Sequence, residues 1–236
     1  MTLAATPLAS TRVVSAWDET PTLRAVRLAL APEQARAHVR PGQVVKVHTG
    51  VGEAYFAIAS APSPAGVIDL LVKRGGKVAD AALAAAAPGA SLDVTAPFGK
   101  GFPVEEADGR DVLLFAAGSG IAPIRSLVQH VLAHRGDFNV VTLFYGQRHH
   151  GDFAYAREHA DWERGGVRVV LCPTAEDEAW PGVRGRVQEV ARSLGFGGSP
   201  PERTVAFVCG MTAMVDEVRK TLTGAGIPPG SVHLNF

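Results

Sequence analysis

Over the first hundred residues, apolar and polar positions alternate in short bursts. The pattern predicts strands at Thr11–Ala16, Leu23–Leu30, Gln43–His48, Tyr55–Ser60, Val67–Lys73 and Ser91–Thr95. Turn-forming clusters at Arg40–Gly42, Ser60–Gly66 and Pro88–Gly89 separate them, and an alanine-rich helix is expected over about Val78–Ala86. Six short strands at that spacing predict a small antiparallel barrel.

From Asp111 the rhythm changes. Apolar runs predict strands at Val112–Ala116, Val140–Tyr145, Val167–Cys172, Val205–Val208 and Val232–Asn235. Helices are expected between them at Ile121–His134, about Phe153–Glu163, Arg186–Leu194 and Met211–Leu222. In the first helix, Ile121, Ile124, Leu127, Val128, Val131 and Leu132 share one face, the stripe of a helix packed on a sheet. Alternating strands and helices of this length predict a parallel, doubly wound sheet. The polar stretch Glu105–Arg110 reads as the linker, which gives a barrel domain over 1–107 and an α/β domain over 108–236.

The stretch Asp111–Ser126 is the most informative. The strand run Val112–Phe115 breaks at Gly118, Ser119 and Gly120, and a helix follows from Ile121 with Pro123 in its first turn. Glycines at such a turn let the backbone approach a ligand, and the N–H groups of the new helix favour phosphate. A lone Gly-x-Gly equally describes a tight turn feeding a core helix. The order of elements around it favours a dinucleotide site.

Composition narrows the classes. Lys plus Arg and Asp plus Glu are both 23, so no net charge attracts nucleic acid or an anionic membrane. No apolar run is long enough to span a bilayer, and the N-terminus does not read as a signal peptide, so a cytoplasmic protein is expected. Two cysteines, Cys172 and Cys209, are too few for a four-cysteine iron–sulfur cluster and have no zinc spacing. The eight histidines, including His149–His150, lack a ligand pattern, so no metal is expected.

Several motifs agree in order with one family. Ala96-Pro97-Phe98-Gly99 matches a Gly-Pro-aromatic-Gly turn; Gly118-Ser119-Gly120-Ile121-Ala122-Pro123 matches a glycine turn. Phe144-Tyr145-Gly146-Gln147-Arg148 matches the next strand end, and Cys209-Gly210-Met211 a Cys-Gly-Pro with Met for Pro. Across nearly its whole length the chain resembles the ferredoxin–NADP reductase superfamily. The resemblance implies a flavin-binding barrel followed by an NAD(P)-binding domain. It places the nucleotide pyrophosphate at Gly118, Ser119, Gly120, Ile121, Ala122 and Pro123, and the ribose side at Gly146 and Arg148. It places the nicotinamide pocket at Cys209, Gly210 and Met211, and the flavin near the last strand and Phe236.

The flavin motifs depart from the family pattern. Where the family carries Arg-x-Tyr-Ser followed by Ile-Ala-Ser, this chain reads Ala54-Tyr55-Phe56-Ala57-Ile58-Ala59-Ser60. Phe56 keeps an aromatic face for stacking. Ala54 removes a charge-assisted phosphate contact worth about 1.5–3 kcal/mol. Ala57 removes a hydroxyl donor, leaving backbone amides to address the flavin edge. At the second element, Gly75, Gly76, Lys77, Val78 and Ala79 lack the family's hydroxyl, although Lys73, Arg74 and Lys77 supply charge beside the turn. Phosphate binding and a solvated basic strand end both fit those three cations.

Two readings stand for Cys209, a thiol lining the nicotinamide pocket or a buried strand thiol without chemistry. Two also stand for Phe236, a cover over the flavin or a packing side chain. Tyr145, Trp162 and Trp180 read as packing residues. After Thr174, the acidic Glu176 and Asp177 would repel a 2′-phosphate, which favours NADH over NADPH; Arg148 and Arg157 pull the other way. The resemblance therefore implies an enzyme passing a hydride from NAD(P)H to bound FAD and electrons to an acceptor, protein or small molecule. The degenerate motif keeps a second class open, a flavin-free module that binds a nucleotide or a partner on the same fold.

Overall fold

The computed structural model describes residues 8–176, 180–196 and 198–235. Its first half comprises β1 (Leu8–Asp18), β2 (Leu23–Ala29), a four-residue helix α1 (Pro32–Ala35), β3 (Val44–Thr49), β4 (Gly52–Ala57), β5 (Val67–Lys73), α2 (Lys77–Ala85) and β6 (Ser91–Thr95). The strands form an antiparallel sheet in the order β4-β3-β6-β1-β2-β5. Its two edges meet: Ile58 bridges Leu70, and the Ala59 N–H donates to the Asp69 carbonyl at 2.7 Å. That contact rolls the sheet into a barrel and removes its open edges. Val13, Val26, Leu28, Val45, Val47, Ile58, Ile68 and Leu70 fill the interior, with Ala82 and Ala86 from the α2 region packed on it.

The closure also corrects the strand expected at Tyr55–Ser60. The ladder with β3 covers Gly52 to Ala57 and then stops, because the chain changes partner to β5 at Ile58. Alternation along a strand shows the sidedness of its residues, not where it leaves its neighbour.

The second half contains β7 (Asp111–Ala117), α3 (Ile121–Ala133), β8 (Val141–Gln147), α4 (Ala156–Arg164), β9 (Val167–Pro173), α5 (Val187–Leu194), β10 (Thr204–Cys209), α6 (Thr212–Gly224) and β11 (Val232–Leu234). All five strands are parallel, in the order β11-β10-β7-β8-β9. Ile124, Leu127 and Val128 of α3 and Trp162 of α4 belong to one core, while Val187 and Val190 of α5 and Val218 and Leu222 of α6 belong to another. The sheet is thus doubly wound.

The core under α3 and α4 continues into the barrel through Leu23, Ala59, Leu71 and Phe102. The polar stretch read as a linker is built into this seam: Val104–Ala107 forms a 3-10 turn with Ala107 buried. Helix α4 starts at Ala156 instead of Phe153. Tyr155 takes a left-handed conformation (φ 61°), which a side chain rarely adopts, and its N–H donates to Glu19 of the barrel at 2.8 Å. Phe153, Ala154 and Tyr155 are buried instead of turning with the helix.

His38, in the loop after α1, is 8% exposed, and its Nε2 has no hydrogen-bond partner. Burial holds its pKa down at about 4. The unfolded chain takes up this proton near its ordinary value of about 6.5, whereas the folded chain resists until about pH 4. Stability is therefore lost as pH falls through that window, by about 2 kcal/mol between pH 7 and pH 5. Urea unfolding at both pH values, with and without His38→Gln, checks this; the variant is expected to lose that part of the difference.

Candidate nucleotide and flavin site

In the parallel sheet, β7 connects to β8 on one side, and β10 lies on the other. The chain reverses direction of travel between β7 and β10, so a crevice opens at the carboxyl ends of these strands, the usual ligand position in such sheets. Two of the expected motifs line this switch point. Gly118–Gly120 leaves β7 as a single 3-10 turn that runs into α3, and Cys209 ends β10 directly beside it.

The two glycines have different jobs. Gly118 has φ 59° and nothing within 4 Å of where a Cβ would stand, so its backbone faces open space. A Cβ on Gly120 would lie 2.4 Å from the Cys209 carbonyl oxygen and 3.0 Å from the Gly210 Cα, so this glycine lets the two loops touch. Ser119 is half-buried, while Ile121, Ala122 and Pro123 point their side chains into the core. Backbone and the half-buried Ser119 are what that helix start leaves open. Tyr145, read from sequence as packing, is fully buried and does more. Its hydroxyl donates to the Gly118 carbonyl at 3.5 Å and accepts from Gln147 Nε2 and the Ala154 N–H, bracing the turn from behind.

Cys209 is a neutral thiol here: burial pushes its pKa up to about 12, as it does for Cys172. That suits a pocket wall and not a nucleophile. Gly210 abuts Met214 and Ala117, and Met211, the N-cap of α6, has 72% of its surface exposed. Gly146 has a packing explanation, since a Cβ there would meet Val187 Cγ1 at 2.9 Å. Arg148 and Thr174 come together on neighbouring strand ends. The Thr174 N–H and hydroxyl both donate to the Gln147 carbonyl, and the Ala175 N–H to that of Arg148. Arg148, Thr174 and Glu176 are exposed there; Asp177 and Phe236 lie outside the described residues. Arg157 pairs with Glu19 of the barrel at 3.3 Å, away from this strand end.

On the barrel side, Phe56 is half-buried and points to the same side as its cross-strand partner Val45, against the interior. Tyr55 takes the opposite side, 61% exposed, edge-on to Phe98 at 5.9 Å and under Lys46 Nζ at 5.0 Å. The backbone amides expected to replace the lost Ala57 hydroxyl are partly committed: the Ile58 N–H donates to Gln43 O at 2.9 Å and the Ala59 N–H to Asp69 O. Ser60 keeps its hydroxyl, which accepts from the Asp69 N–H at 3.0 Å and so has its own proton to give.

The turn before α2 fits a phosphate in shape and charge. Gly75 (φ 97°) and Gly76 are open, Gly76 caps the nine-residue α2, Lys73 and Lys77 are exposed, and Val78 lies just inside the helix. A groove of about 370 Å³ beside it is lined by Arg24, Arg74, Asp80, Leu83 and Ala84. One feature opposes an anion: Asp80 Oδ1 already accepts the Gly75 N–H at 2.9 Å. Arg24 and Arg74 both bind the exposed Asp18, whose carboxyl they hold below its usual pKa. Near the end of β11, both side-chain amide atoms of Asn235 are buried without a partner, beside Gly42. An orphaned donor–acceptor pair in such a place suits the edge of a polar ring.

Sequence reasoning passed over Arg125. It is buried between the two halves and bound to Glu158, Asp69 and the Ala59 carbonyl. A charged residue inside the apolar run from Ile121 to Val128 was the available clue.

Comparison with known proteins places the fold in a family. Residues 114–220 match the family model described as an oxidoreductase NAD-binding domain. The sulfhydrogenase 1 subunit gamma of Pyrococcus furiosus is 31% identical over 202 residues, covering 84% of this chain and 68% of that protein. The reductase component of a propane 2-monooxygenase from Rhodococcus jostii is 28% identical over 216 residues, 88% of this chain but 58% of its own length. Among solved structures, a ferredoxin NADP+ reductase from Neisseria gonorrhoeae with bound FAD and NADP superposes with a TM-score of 0.79 at 21% identity, covering 96% of this chain and 97% of that one. The chain belongs to the ferredoxin–NADP reductase superfamily of FAD/NAD-binding oxidoreductases. No described helix is long and apolar enough to cross a membrane.

Proposed function

We propose that this protein passes a hydride from NAD(P)H to a bound FAD and hands the electrons singly to a separate acceptor protein. The observation that carries this reading is the switch-point crevice, where Cys209 and Ile121, the residue after the glycine turn, pack in one core cluster with Ala57 and Ala59 of the barrel segment. FAD, when bound, supplies the two-electron to one-electron chemistry; the chain's residues bind, orient and exclude water. In this division, residues 1–107 hold the flavin and residues 108–236 the nucleotide.

Backbone at Gly118, Ser119, Gly120 and Ile121 takes the nucleotide pyrophosphate, aided by the N-terminus of α3. Cys209, Gly210 and Met211 line the nicotinamide side, and Arg148 and Thr174 meet the adenosine side. For the flavin, Ser60 offers a hydroxyl proton and Asn235 an amide, while Phe56, packed on the barrel interior, backs this segment. Lys73, Gly75, Gly76, Lys77 and Val78 form the phosphate cradle. Glu176 beside Thr174 weakens a 2′-phosphate, so NADH is the better donor. The acceptor is read from the reductase component of the propane 2-monooxygenase, which serves an oxygenase system by its name.

The test is the visible spectrum of the purified protein, followed by anaerobic addition of NADH and then NADPH. Flavin bands that bleach, faster with NADH, are expected. Protein that holds no flavin after incubation with FAD or FMN would sink the reading. The Asp80 contact at Gly75 and the alanines at 54, 57 and 79 would then mark a nucleotide- or partner-binding module.

A further inference from the structure

Arg125 lies one helical turn beyond the Gly118–Gly120 turn on α3 and is 4% exposed. Its Nε and Nη2 donate to the two carboxylate oxygens of Glu158 on α4 at 2.8 and 2.7 Å. Its Nη1 donates to the Ala59 carbonyl at 2.9 Å and reaches Asp69 Oδ2 at 3.3 Å, both on the barrel. The guanidinium also sits 4.4 Å over the Tyr155 ring. One side chain thus ties the helix that begins at the nucleotide turn to the segment that carries the flavin motif.

The contacts continue into a closed ring. Asp69 accepts a two-point bond from Arg27 at 2.7 and 2.9 Å, and Arg27 stands 5.4 Å over the Trp17 indole. The Trp17 Nε1–H donates to Glu19, and Glu19 accepts the Tyr155 N–H, which returns the ring to the Arg125–Tyr155 stack. One turn further along α3, Gln129 Oε1 accepts the Ala61 N–H at 2.9 Å. Ser60 is therefore held from both neighbours, by Arg125 at Ala59 and by Gln129 at Ala61.

An apolar seam would join the two halves at less desolvation cost than buried ions. What it would lack is direction. Forked guanidinium bonds set both distance and angle between the groups they join. We propose that Arg125 is a positioning residue for hydride transfer, setting the separation between a flavin on Phe56–Ser60 and a nicotinamide beside Gly118–Ile121. The proposal rests on the reductase reading above. Lysine at 125 keeps the charge but cannot hold Glu158, Asp69 and Ala59 together, so the two segments are freed to shift by a fraction of an ångström.

The experiment compares wild type, Arg125→Lys and Glu158→Gln, each loaded with FAD, in anaerobic stopped-flow reduction at saturating NADH. Flavin content and NADH affinity are measured alongside, with hydrogen exchange at the Ala61 and Tyr155 amides in the flavin-free proteins. Arg125→Lys is expected to slow the limiting rate about tenfold, with NADH affinity retained and both amides exchanging faster. Glu158→Gln should show a smaller loss, because Asp69 and Ala59 still hold the guanidinium; it decides the matter if Arg125→Lys does not fold. A folded variant with the wild-type limiting rate overturns the proposal, even if its melting temperature falls, and leaves the reductase reading standing. A wild type that NADH does not reduce overturns that reading itself and this proposal with it.

Discussion

Gly120→Ala is expected to lower NADH-driven dye reduction about 100-fold while the protein stays folded. The added Cβ would lie 2.4 Å from the Cys209 carbonyl oxygen and 2.7 Å from its carbon, far inside contact distance, and both are backbone. A flexible side chain could swing aside; these atoms cannot, because Cys209 is held in register with Ala116 in the central parallel ladder. The glycine turn and the Cys209–Gly210 loop must then separate by about 1 Å, and a misplacement of that size at reacting groups costs about two orders of magnitude in rate. Gly118→Ala is the comparison. It meets no atom, but alanine pays about 1 kcal/mol for the left-handed backbone, and its methyl would enter the space proposed for the pyrophosphate. Steady-state assays with melting temperatures recorded in parallel separate the two effects. Equal rates for Gly120→Ala and wild type would remove the switch-point crevice as the nucleotide site.

Asp69→Ala is expected to cost about 3–5 kcal/mol of stability, seen as a drop of about 10 °C in melting temperature. Asp69 is 2% exposed and holds Arg27 by two bonds and Arg125 by a third. Removing it leaves the buried Arg125 guanidinium short of a partner at the junction of the two halves. Asp18→Ala is the contrast. Asp18 also binds two arginines, Arg24 and Arg74, but its side chain is 53% exposed, and water replaces what the mutation removes. Calorimetry on both variants checks this. Similar losses for the two would show that the network around Asp69 contributes no more than a surface pair.

These expectations depend unequally on what the chain shows in one dimension. The strand-to-helix break at Gly118–Gly120 was legible because a local apolar run, three small residues and an amphipathic helix follow one another without a gap. The doubly wound sheet was legible for the same reason, since each βα unit is local. The departures at Ala54, Ala57 and Ala79 were legible as missing chemistry. The surroundings of Ser60 and Asn235 were not, because they come from Asp69 and Gly42, the latter far off in the chain from Asn235.

The errors have one cause. The strand expected at Tyr55–Ser60 ends at Ala57 because the exchange of β3 for β5 at Ile58 depends on barrel closure. Helix α4, expected from Phe153, starts at Ala156, and nothing nearby announces that Glu19 accepts the Tyr155 N–H from 136 residues away.

Local periodicity and turn chemistry, by themselves, determined the order of elements and the glycine turn, because each rests on contacts within a few residues; the family was legible only as a resemblance of motifs. The tertiary structure decided the seam: which amides of the flavin segment are already bonded, which glycine faces open space, and that Arg125 links Ala59, Asp69 and Glu158. A charged side chain has no meaning in sequence until its partners are in place. Here those partners are 33, 56 and 66 residues away, beyond the reach of any local pattern.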